Sequence, residues 1–199
     1  MHRTARFLAL IVILVALSSS PLRAQEDAAN ERTRISASAV VVRGMAATAT
    51  TFIDFDIRRF TTDEERAELL RALQEGGQDA LRRALEKADL GQVSTTGRVG
   101  VSIAFARAHQ VEGGTLYNIA TARNMSFFEM RRSGRSTDYP FSTAQIMVPD
   151  TGKKGEGQII VAASIKINEG ADRITVESFG FEDTVRLNNV RVKKKKKKR

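Results

Sequence analysis

Two carboxylates one residue apart, Asp54 and Asp56, are spaced for acid–base work in this chain. On an extended strand they fall on one face, about 7 Å apart. A glycosidase-type acid and base can act across that distance. Each alternates with an apolar residue and Arg58 follows on the same face, which is also how a solvated strand face reads. His109 is the one histidine of residues 25–199 and stands close to Glu112, Gly113 and Gly114. Imidazole can serve as a general base or, with Glu112, as a metal ligand. One histidine and one acid fall short of a ligand set, and a turn-proximal surface histidine accounts for the same residues.

Asp150-Thr151-Gly152 resembles the D-T-G triplet of aspartic proteases over those three residues only. In that family the triplet follows a hydrophobic strand, precedes Ala or Ser, and is needed twice. Here Pro149 precedes it, Lys153-Lys154-Gly155 follow, and there is one copy. The pattern therefore reads as a hairpin turn. As a calcium loop, residues 150–157 lack alternating acids and carry two lysines where the cation would sit. They do not spell a phosphate-binding loop, and no serine-hydrolase motif occurs. With no cysteine, disulfides, thiolate metal sites and thiol nucleophiles are excluded. No catalytic, cofactor or metal site is assigned; Asp54, Asp56 and His109 remain the catalytic candidates.

The strongest signal outside the fold is cationic. Lys193, Lys194, Lys195, Lys196, Lys197, Lys198 and Arg199 form an unbroken run. The chain carries 32 basic and 23 acidic residues, a net of +9. Residues 1–24 contribute Arg3, Arg6 and Arg23 without an acid. Setting those three and the seven terminal cations aside leaves 22 bases against 23 acids, a net of −1 over 25–192. The high charge thus belongs to the two ends. Adjacent cations repel and cannot bury, so 193–199 is expected to be a disordered polybasic tail, removable without touching the fold. It would contact anionic lipid or polysaccharide, with no sequence-specific nucleic-acid reading from such contacts alone.

Residues 1–24 have a short basic start, an apolar run from Phe7 to Leu17, a Ser-Ser-Ser-Pro break and a small residue at Ala24. That is the pattern of a secretory signal peptide. The run is about half the roughly 20 residues a spanning helix needs. The expected product is exported, periplasmic or extracellular, and not membrane-spanning after cleavage.

These residues are positioned by a chain that alternates. After a polar leader at 25–34, residues 36–43 and 50–60 read as strands, with Ile53, Phe55 and Ile57 on one face. Thr62 and Glu65 make a capping box. Leu69, Leu70, Leu73 and then Leu81, Ala84, Leu85, Ala88 continue a helical stripe broken at Gly76-Gly77. Two short helices, 63–75 and 78–88, are expected, with one kinked helix as the alternative. Beyond 92 the chain is strand-like again. Val99, Val101, Ile103 and Phe105 form one row. Strands follow at 115–122 with 125–131, at 141–148, along the row Ile159, Val161, Ala163, Ile165 and Ile167, and at 173–181 and 184–192.

The expected fold is mainly β (α+β). It has about eight antiparallel strands in a barrel or sandwich, a helix pair inserted after the second strand, and a single domain over 35–192. An outer-membrane barrel fits poorly, since two tyrosines and no tryptophan cannot build aromatic girdles. The scattered aromatics Tyr117, Phe127, Phe128, Tyr139, Phe141, Phe179 and Phe181 are expected to pack the core. A ligand cavity is the other use for them. The expected function is an exported non-enzymatic binding module, for a small apolar ligand or an envelope protein, whose tail contacts anionic surfaces. A secreted carboxylate-dependent hydrolase and a structural envelope protein are the alternatives.

Overall fold

Alternation at period two builds the first hairpin. In a computed structural model, which describes residues 32–43, 47–123, 138–168, 173–178 and 184–195, β1 (Arg32–Arg43) pairs antiparallel with β2 (Ala47–Ile57). Ile53, Phe55 and Ile57 are buried beside Ile35, Ala37 and Ala39. Arg34, Ser36, Asp54 and Asp56 occupy the opposite face. β3 (Gly91–Thr95) then lies against β2. Its first residue must be glycine: φ is 150°, and a Cβ there would sit 2.0 Å from the Asp56 carbonyl oxygen.

Seven more strands follow: β4 (Val101–Ile103), β5 (Phe105–Val111), β6 (Gly114–Thr121), β7 (Phe141–Pro149), β8 (Gly155–Asn168), β9 (Arg173–Ser178) and β10 (Thr184–Lys195). All pair antiparallel in one sheet, in the order β4-β3-β2-β1-β10-β8-β7-β6-β5, with β9 against β8. A flat ladder of that many strands would hold its ends about 38 Å apart, at the usual strand spacing. Yet the two end strands, β4 and β5, are separated in sequence by Ala104 alone, and the Ala104 N–H donates to the Ala120 carbonyl on β6 at 2.9 Å. The sheet is therefore curled into a half-barrel, not stacked as a sandwich. Its concave side is filled by side chains: Ile35, Phe55, Val93, Ile103, Tyr117, Ile146, Ile159 and Leu187 belong to one buried cluster.

The capping box forms as expected. The Thr62 hydroxyl accepts from the Glu65 N–H at 3.2 Å and the Glu65 carboxylate accepts from the Thr62 N–H at 2.9 Å. It opens one helix, α1 (Asp63–Leu85), kinked at Gly77, whose φ of 62° and ψ of −159° are not helical. Leu73, Leu81 and Leu85 pack outside the sheet on Ala104, Phe141 and Ala163. Beyond Phe141↔Ala163 the pairing of β7 with β8 ends. There the Gln78 side chain, placed by the kink, accepts from the Ile165 N–H at 3.0 Å and donates to the Asp138 carbonyl at 2.9 Å.

Several expectations are corrected. The described residues form ten strands, not about eight, because 91–95 is a strand of its own and the row from Val99 to Phe105 breaks at Ala104. The helix pair is the single kinked helix. Two supposed single-face rows slip. Ile103 joins the inner core while Ala104 and Phe105 join the helix-side cluster. In β8 a bulge opposite Phe141 and Thr143 leaves Ile159 and Val161 inside but turns Ala163, Ile165 and Ile167 to the helix. Val99, expected in the first of these rows, is 91% exposed. The leader and tail are also shorter than expected. β1 begins at Arg32 and β10 runs through Lys195, so Lys193, Lys194 and Lys195 are strand residues. The segments 1–31, 125–131 and 196–199, with Phe127, Phe128, Phe179 and Phe181, lie outside the described residues.

Candidate polyanion-contact surface

The tail cations that are described sit on β10, whose twelve residues include no acid. Period-two alternation buries Val185, Leu187 and, past a bulge, Val190. It thereby turns Arg186, Arg191 and Lys193 out to solvent, all exposed. The pairing with β1 adds to them, because Lys193 stands directly opposite Arg34 and Lys195 opposite Arg32. Like charges placed opposite each other across an antiparallel pair are destabilising, by roughly 0.2–1 kcal/mol per pair. Local propensity would not choose these rungs.

The acids of the neighbouring strand answer only one side of this stripe. Arg32 forms a two-bond ion pair with Asp56, at 3.0 and 2.5 Å. Arg34 lies 4.0 Å from Asp54, which also accepts from the Ser36 hydroxyl at 2.5 Å. The hydrogen bond from Arg32 holds the Asp56 carboxyl below its ordinary range. No ion pair to Arg186, Arg191 or Lys193 occurs among the described residues. Arginine and lysine side chains so arranged can hold sulfate, phosphate or carboxylate groups spaced along a polymer or a headgroup layer.

Asp54 and Asp56 do share one face, as their spacing implies, but on the convex side of the sheet and each with a basic or hydroxyl partner. The Asp56 carboxyl, held low by Arg32, is poorly suited to donate a proton as a general acid. His109 is on β5, near the end that leads into the turn, opposite Leu116 and exposed. Partial burial, then Arg107 and Arg66, push its imidazole below the ordinary value, toward the neutral form. Asp54 and Asp56 are on β2, and the charges that act on His109 are Arg107, Arg66 and Asp63 instead. Among the described residues no group of three or more His, Cys, Asp or Glu is placed to hold a metal ion. Asp150 lies in the turn between β7 and β8, where it accepts from the Gln110 amide at 2.8 Å.

Sequence reasoning located the terminal run but missed Arg34, Arg186 and Arg191, which the ladder brings beside it. The alternations V-R-L and V-R-V on either side of Asn188-Asn189 turn Arg186 and Arg191 outward each within its own half, but the odd spacing between them puts both on one face only through the bulge, and Arg34 joins only through the pairing with β1. No helix of the described residues is long and apolar enough to cross a membrane. No protein-family model, curated protein or solved structure matches the chain.

Proposed function

We propose that this chain is an exported, non-enzymatic binding module that attaches to anionic surfaces, lipid headgroups or acidic polysaccharide, through the outer face of β10 and the cations that follow it. The carrying observation is the pair of like-charge rungs, Lys193 opposite Arg34 and Lys195 opposite Arg32. A polyanion laid along β10 would pair with Lys193, whose facing Arg34 is already held beside Asp54. Near an anionic membrane each cation adds up to about 1 kcal/mol, screened within roughly 8 Å at physiological salt. Arg186, Arg191 and Lys193 to Arg199 are together sufficient for salt-sensitive attachment. An apolar ligand held inside the half-barrel is not part of this reading, because the described concave side is occupied by packed side chains.

The test is co-sedimentation with vesicles containing phosphatidylglycerol, with neutral phosphatidylcholine vesicles and heparin alongside. Binding to anionic vesicles at low salt, lost in a variant with Lys193 to Lys198 and Arg199 changed to Gln, is the expected outcome. Binding to heparin alone would assign polysaccharide as the partner. Equal binding to neutral vesicles, or unchanged binding by the Gln variant, would reject the surface.

A further inference from the structure

A second surface stands apart from the basic stripe. β9 pairs with β8 on one side, and its other edge has no ladder partner among the described residues. An open edge is a template for another strand, and proteins commonly blunt it with lysine, proline or a bulge. Residues 173–178, Arg-Ile-Thr-Val-Glu-Ser, contain no lysine and no proline. Instead two large apolar side chains lie open there, Ile174 at 50% and Val176 at 42% exposure. They stand opposite Ile167 and Ile165 of β8, which are themselves only partly covered.

The order of residues in β9 says which strand fits. Turned antiparallel to itself about Thr175, the sequence sets Thr175 opposite Thr175, Ile174 opposite Val176 and Arg173 opposite Glu177. Apolar meets apolar on one face and base meets acid on the other, since residues opposite one another share a face. Moving the axis to the bond between Thr175 and Val176 would set Ile174 against Glu177 and Arg173 against Ser178, and both matches would be lost. We infer that β9 is the docking edge for a second copy of this chain, joined by a two-fold axis at Thr175 so that the two sheets continue into each other. Such an isologous contact uses one patch twice and closes at two copies. Main-chain hydrogen bonds would join the strands, as in other strand additions, and alternate side chains would set the register. The axis would also bring the rows Ile165, Ile167, Ile174 and Val176 of both copies into one apolar band. Glu177 lies 2.8 Å from Lys166 of its own chain, which orients its carboxylate at the register position that faces residue 173 of the partner.

Sedimentation equilibrium of the full chain over a concentration series reads this directly, with circular dichroism to confirm folding. A reversible dimer is expected. Thr175→Lys sets two lysines on the axis and should weaken it by up to about fivefold. Glu177→Arg should weaken it too, and the double change Arg173→Glu with Glu177→Arg should restore it, because the opposed pair is then re-formed. That restoration separates the inter-chain pair from the in-chain contact with Lys166. A wild-type chain that stays monomeric throughout, a Thr175→Lys variant that dimerises unchanged, or a charge swap that fails to restore dimerisation would overturn the inference.

Discussion

At the residue scale, the ion pairs that flank the first helix make the molecule sensitive to acid. Arg59 donates to both oxygens of Glu65 at 2.9 and 2.8 Å while Glu65 also closes the capping box. The hydrogen bond from Arg59, followed by that from the Thr62 backbone, holds the Glu65 carboxyl below its ordinary range despite partial burial. A carboxyl whose folded value is depressed contributes stability that is present above its unfolded value and is lost as the pH falls through the folded one. Arg59→Gln should therefore be less stable than the parent at about pH 7, and the difference should shrink below roughly pH 4 as both chains protonate. Urea unfolding at the two pH values measures it; a difference that stays constant would remove Glu65 from the acid response. The cap itself was legible from Thr62 and Glu65 alone. The Arg59 partner was not, because its register against the helix start depends on how the chain leaves β2.

At the element scale, the sequence was most readable where alternation ran unbroken and least where it slipped. Ile53, Phe55 and Ile57 fell where a period of two placed them. The rows through Ala104 and through Val161–Ala163 did not, since one irregular residue turns everything beyond it to the other face. The slip in β8 lets one strand feed the inner core with its first half and the helix-side cluster with its second, whereas past Ala104 and Phe105 the chain returns to the inner core at Ala106. Periodicity cannot show this, because both halves remain apolar. The helix illustrates a related limit: the glycine pair announced a break, but whether it divides the helix or bends it depends on what Gln78 must reach. Gly77→Ala places a side chain in a backbone region that is essentially glycine's own, and the expected loss is about 1–3 kcal/mol. Denaturant midpoints would show it. An unchanged or higher midpoint would mean that α1 straightens without needing the Gln78 bonds to Ile165 and Asp138.

At the scale of the whole molecule, the basic run divides in two. Removing 196–199 should leave thermal unfolding unchanged. Removing 193–199 also strips Lys193, Lys194 and Lys195 from their places opposite Arg34, Thr33 and Arg32. Lost ladder bonds outweigh relieved charge repulsion, and a drop of about 1–2 kcal/mol is expected; equal melting of the two truncations would mean the last rungs carry no stability. The composition placed the cations correctly but read all of them as free, since charge repulsion argues against order and only the partner strand supplies a reason for it. The same rungs bear on time as well as energy. β10 sits at the centre of the sheet between β1 and β8, so the first and last described strands are neighbours. β1 closes a hairpin with β2 early, but its other edge meets β10 only after all the intervening strands. Pairings so distant in sequence are slow to form, on the order of milliseconds to seconds. The far edge of β1 therefore stays unpaired in a chain that has not yet reached β10, while the hairpin on its other side is already closed.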